Sequence, residues 1–221
     1  MIYPGQTAAA GIPIPNPLPV SWLGRIDAPP NPPSWARVGV FTIVQISNLL
    51  AQIGYDLSQW DYNKIGTHNE IGKYQFTTQQ LEDYGLLAAG SNSHYGTDCI
   101  NYRHCWKPTV VDNGINNYEN YFYNVKSRSE FLALTVAQEH LAYQYFVDLY
   151  TECTANGVIL DSDPLDVVAG LIYAAWTLGP GVAPTASNSI GTGAWAWRYN
   201  NVGAGANSYN SGRYAIKVLS K

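Results

Sequence analysis

Charge is what this sequence has least of. Only 13% of its 221 residues are Asp, Glu, Lys or Arg, about half of the ~25% usual in globular domains. The 12 Lys and Arg are scattered and the net charge is −4. Neutralising phosphates takes clustered cations, so a nucleic-acid partner is not expected. Long apolar runs are missing too: none approaches the roughly 18 residues of a membrane span. The first residues lack the basic start and apolar core of a signal peptide, so export by that route is not expected. The cysteines are only three, Cys99, Cys105 and Cys153, and an odd number argues against a secreted disulfide framework. In "HYGTDCINYRHC" they stand near His94 and His104, but the usual zinc spacings are absent. Buried thiols or a Cys99–Cys105 link are the expectation there, and no metal or cofactor is expected.

What the chain has instead is aromatic and amide side chains. It is 46% hydrophobic, with 17 Tyr and 7 Trp. Such a surface suits protein assembly or carbohydrate contact better than life as a solitary cytosolic enzyme. A chain of this length buries roughly 70% of its unfolded surface, enough for one globular domain with an appendage.

The appendage is the first stretch. Residues 1–38 form an arm within a forty-residue span that holds nine of the 13 prolines and only three charges, Arg25, Asp27 and Arg37. Proline fixes φ and removes a donor, so this segment cannot join a bundle or a central sheet and should run extended. Carrying Trp22, Leu23, Ile26 and Trp35, it is expected to dock on another surface, its own domain's or a partner's.

From residue 39 to 221 the periodicity is helical. "VGVFTIVQISNLLAQIG" spaces Val40, Ile43, Val44, Leu50 and Ile53 for a helix that Gly54 should stop. A polar loop is expected from Tyr55 to Phe76, then a short helix to about Ala88 behind the capping box of Thr77 and Gln80. The following forty residues read as mostly irregular. Ser127 and Glu130 open the longest helix, with Phe131, Leu134, Ala137, Leu141, Tyr145 and Leu149 on one stripe and Gly157 after its end. "SDPLDVVAGLIYAAWTLGPG" is apolar all round and reads as a core helix, capped by Asp163, with Pro164 in its first turn and Gly179-Pro180 at its end. A final helix is expected from about Ser211. The fold class is mostly α.

One stretch carries a resemblance. Gly72, Lys73, Tyr74, Gln75 and Phe76, followed by "LEDYGLL", resemble the motif of the lysozyme-like superfamily, more narrowly of phage tail-associated peptidoglycan hydrolases and lytic transglycosylases. "VVAGLIYAAWTLGPGVA" looks like that family's central apolar helix, and "GAWAWRYNNVGAGANSYNSGRYAI" like its closing segment. The resemblance implies a lysozyme-like helical domain over 39–221. It implies a virion protein of the tail or baseplate, made in the host cytoplasm, with residues 1–38 on neighbouring tail proteins and the domain on peptidoglycan glycan strands. Tyr74 and Gln75 would contact the sugar and Gly72 would let the backbone pass under it.

Glycosidic cleavage also needs an acid whose pKa is raised by an apolar pocket, often paired with a second carboxylate. In the family, a glutamate at the end of the first helix does this. Here no glutamate precedes Glu70, and the corresponding neighbourhood holds Gln52, Gly54 and Asp56. Glu70, which abuts the motif, ranks first as the acid and Asp56 second. Asp61, beside Trp60, reads as a loop holder. Glu139 reads as a satisfied helix residue or as a buried partner in the cleft. Two outcomes stand: a muramidase or lytic transglycosylase, or a virion structural protein that kept the fold and lost the acid.

Overall fold

The computed structural model describes residues 37–107, 125–200 and 205–217. The proline-rich arm, apart from Arg37 and Val38, lies outside the described residues. Among these, the fold is mostly helical: eight α-helices and one small antiparallel hairpin.

The hairpin pairs β1 (Arg37–Val38) with β2 (Phe41–Thr42). Gly39 turns it with a φ of 54°, and a Cβ there would stand 1.9 Å from the Tyr150 ring. The last two residues of the sequence-defined arm are therefore paired with the domain. Thr42 then caps α1 (Ile43–Ser58) in a capping box with Gln45, satisfying amides that a helix start leaves orphaned.

Helix α1 does not stop at Gly54. It runs on to Ser58 and ends at Gln59, whose left-handed backbone supplies the cap. Gly54 is glycine for another reason: a Cβ would meet Lys73 Cε at 2.6 Å. The loop that follows returns to α2 (Thr78–Asp83), which starts with the expected box of Thr77 and Gln80 but ends before Ala88. The segment read as irregular contains α3 (Ser91–Tyr95) and 3-10 turns at Gly96–Asn101 and Arg103–Cys105. Cys99 and Cys105 are bridged across those turns.

The longest expected helix is two helices. Ser127 accepts from Glu130 N at the start of α4 (Arg128–Ala133), as its cap pattern implies. Leu134, at φ −95° and ψ 77°, breaks the path before α5 (Thr135–Ala155). The stripe survives: Phe131, Ala137, Leu141 and Leu149 are buried, with Leu134 and Tyr145 packed against them.

Helix α6 (Leu165–Leu178) is the axis of the domain, buried without interruption from Val168 to Trp176. Asp163 does not cap it. Its carboxylate takes the Leu160 N–H at 2.8 Å and a forked contact from Arg198, so the residue fastens a loop to α7 (Gly193–Asn200). The last helix, α8 (Ala206–Lys217), begins five residues before Ser211. It packs against α6 through two small residues: a Cβ at Gly212 would stand 2.5 Å from the Ala169 carbonyl, and one at Gly170 would meet the Tyr209 ring at 2.4 Å. Helices α1, α5 and α7 complete the layer around α6, and the buried side chains form one continuous core. No helix among the described residues is long and apolar enough to cross a membrane.

Candidate functional site

The glycine-lysine-tyrosine stretch forms a tight turn. Ile71 and Phe76 exchange both backbone hydrogen bonds, at 3.0 and 2.9 Å, with Gly72 to Gln75 as the loop between them. Gly72 takes φ 79°, and a Cβ there would fall 2.2 Å from Gln138 Oε1. That oxygen accepts from Lys73 N at 2.8 Å, while Gln138 Nε2 donates to the Tyr62, Phe131 and Leu132 carbonyls. One buried amide on α5 thus holds the motif, the preceding loop and α4 together.

The next residue on α5 is the centre of the arrangement. Glu139 is fully buried, and so is Lys73. Lys73 Nζ reaches Glu139 Oε1 at 2.5 Å, Tyr62 donates to the same oxygen at 2.6 Å, and Tyr74 donates to Oε2 at 2.6 Å. The ammonium also lies 5.2 and 4.7 Å from the Tyr62 and Tyr74 ring centroids, distances at which an aromatic face attracts a cation. Burying an ion pair costs several kcal/mol per ion in lost hydration, which only good geometry and further hydrogen bonds offset. Here both carboxylate oxygens are answered. Burial pushes the Lys73 ammonium below its ordinary value, with Glu139 pulling the other way. Burial, reinforced by the Glu139 charge, pushes the Tyr62 phenol up.

Each residue singled out in the sequence has a definite place. Tyr74 is 1% exposed, with its ring against Phe76 and Trp176, so it offers no face to a sugar. Its role in the core replaces the expected stacking role. Gly72 lies under the Gln138 side chain, which a Cβ would strike. Gln75 is half-buried in a left-handed conformation, φ 52°, and its amide donates to the Gly72 carbonyl at 2.8 Å. Glu70 keeps 25% of its side chain exposed and accepts from His68 N at 3.0 Å. Its Oε2 and the Gln75 Oε1 both come over Gly66, where a Cβ would meet them at 2.3 and 2.6 Å. Asp56 is on the exposed side of α1, accepting from Gln52 Nε2 at 2.9 Å and from the Tyr173 hydroxyl at 3.0 Å. Asp61 accepts from Asn63 N at 2.8 Å and shapes its own loop.

The two candidate acids therefore sit on different elements with different partners, and the structure joins the motif to neither Gln52 nor Asp56. It joins it to Glu139. Sequence reasoning found that glutamate but missed Lys73 and Tyr62 as its companions and Gln138 as the amide that holds the turn. The signal was there: a lysine between Ile71 and Phe76, and a Gln-Glu pair inside an apolar stripe. Nothing local says that they meet across 66 positions.

Among the described residues, no group of three or more His, Cys, Asp or Glu is placed to hold a metal ion. No protein-family model matches the chain, and neither a curated protein nor a solved structure matches it.

Proposed function

We propose that this chain is a phage tail or baseplate protein whose lysozyme-like helical domain serves as a folded body rather than a hydrolytic centre. The particle assignment rests on the sequence resemblance of the motif and its two later companions. The non-catalytic assignment rests on one observation: the motif is turned inward and locked on Glu139. A general acid has to reach a glycosidic oxygen, and the carboxylate that Lys73 and Tyr74 of the motif bind is wholly enclosed. The missing helix-end glutamate and the low charge support the same reading. The arm of residues 1–38 supplies the contact with neighbouring tail proteins.

The second reading, an active muramidase or lytic transglycosylase, is favoured by Glu70. It is the carboxylate at the motif's rim that keeps exposure, and it converges with Gln75 over Gly66. Incubation of the full chain with purified peptidoglycan, followed by mass spectrometry, separates the two. The proposal expects no muropeptides. Release of reducing-end or anhydro products, lost in Glu70→Gln at unchanged thermal stability, overturns it and establishes the enzyme.

A further inference from the structure

The stretch around the Cys99–Cys105 disulfide carries a group of rings that the core does not use. Tyr95 and Tyr102 are each 44% exposed, and His104 is exposed between them. Tyr102 and His104 stack at 5.5 Å with planes 16° apart, and Tyr95 meets the two edge-on or tilted at 5.1 and 5.9 Å. Single exposed aromatics need no explanation, but contiguous ones mark contact surfaces. Tyr102 and His104 line an open pocket of about 580 Å³ with Asn101, Arg103, Lys126 and the edge of buried Trp106.

We propose that this ring cluster is a binding site for an acidic saccharide. The C–H face of a pyranose is apolar and lies flat on an aromatic ring, while its hydroxyls need amides and phenols that donate and accept. Tyr102, His104 and the Asn101 side-chain N–H groups supply those, the Asn101 Oδ1 already accepting from Arg128. A carboxylate on the sugar finds Arg103, whose planar fork binds it in two places, and Lys126 on the same pocket wall.

The scaffold beneath is fixed before any ligand arrives. Tyr102 N donates to Cys99 O and Cys105 N to Tyr102 O, each at 3.0 Å. Trp106 Nε1 donates to Ile100 O at 3.0 Å, and the disulfide closes the loop. Rings held in place lose little freedom on binding. Rings beside cations also suit single-stranded nucleic acid, and Arg128, held on Asn101 Oδ1, stands beside Arg103 and Lys126; but three cations grouped at one pocket make no phosphate track, and the net charge is −4. The saccharide is therefore favoured. The site is separate from the motif and does not depend on whether the motif region cleaves anything.

Saturation-transfer NMR and calorimetry on the full, oxidised chain test this with a galacturonic acid tetramer and a neutral maltotetraose. Saturation should pass from the aromatic rings to the ring protons of the acidic tetramer. Tyr102→Ala should weaken its binding by about tenfold, ~1.4 kcal/mol, while Tyr102→Phe, which keeps the ring face and loses only the phenol O–H, should weaken it less. Arg103→Gln should remove the preference for the acidic over the neutral sugar. The Tyr102 hydrogen bonds described above are backbone bonds, so Tyr102→Phe should unfold at the wild-type temperature; Tyr102→Ala, which also gives up the stacking on His104, should stay folded with only a small drop. No transfer from the wild-type chain, binding undiminished in Tyr102→Ala, or tighter binding of oligothymidylate would each overturn the proposal.

Discussion

At the scale of single residues, Lys73 and Glu139 behave as one object. Removing either partner leaves the other charged and enclosed, so Lys73→Met and Glu139→Leu should each cost about 3–5 kcal/mol in urea unfolding. Replacing both together should cost far less, since a buried pair exchanged for apolar residues of similar volume is often neutral or stabilising. A double variant no better than the worse single one would show that Gln138 and the two tyrosines, not the charges, hold the motif. Titration gives a second residue-scale expectation. Burial raises the Cys153 thiol from 9.0 to about 12 and the Tyr143 phenol from 10.0 to about 12, and pushes Tyr84 and Tyr173 up as well. A raised folded pKa means that the unfolded chain releases its proton first, so stability falls as pH climbs. The urea midpoint should hold steady up to about pH 9 and decline from there to about 12. Cys153→Ala should flatten the earliest part of that decline. Lys73, whose value burial lowers from 10.5, acts in the opposite sense but is one group against several.

At the scale of elements, the contact of α6 with α8 sets two familiar effects against each other. Alanine is a better helix former than glycine by ~1 kcal/mol, yet at Gly212 its methyl would press on the Ala169 backbone. Overpacking at a site that cannot yield costs about 1–3 kcal/mol, so Gly212→Ala should lower the melting temperature rather than raise it. The same opposition explains what could be read from the sequence. The capping boxes at Thr42 and Thr77, the Ser127 start and the all-apolar α6 rest on neighbours within a few positions, and pattern alone reveals the last three. Gly54 misled because its reason lies 19 positions away, in the Lys73 stem. Asp163 looked like a cap because its true partner, Arg198, is on α7. Tyr74 looked like a sugar platform because aromatic character does not say which way a ring faces. Local rules gave the helices, and distant partners decided what the polar residues between them do.

At the scale of the molecule, the hairpin of β1 and β2 stands at the boundary that the sequence pattern sets between the proline-rich span and the helical domain. Cutting after residue 36 keeps Arg37 and Val38 for their pairing with Thr42 and Phe41, so the 37–221 fragment should fold and remain in solution. The docking role proposed for the arm predicts the rest: if the full chain is found in purified phage particles, that fragment should be absent from them. A fragment that unfolds would mean that the arm packs on its own domain. A fragment that still enters particles would move the docking contact onto the helical body.

The enclosed pair between α5 and the motif also bears on descent. With either partner altered alone, the chain is left carrying an unanswered charge in its core, so a lineage cannot drift at one position and repair the other at leisure. Positions 73 and 139 should be inherited as a unit, both polar or both apolar, with chains of mixed type rare or short-lived.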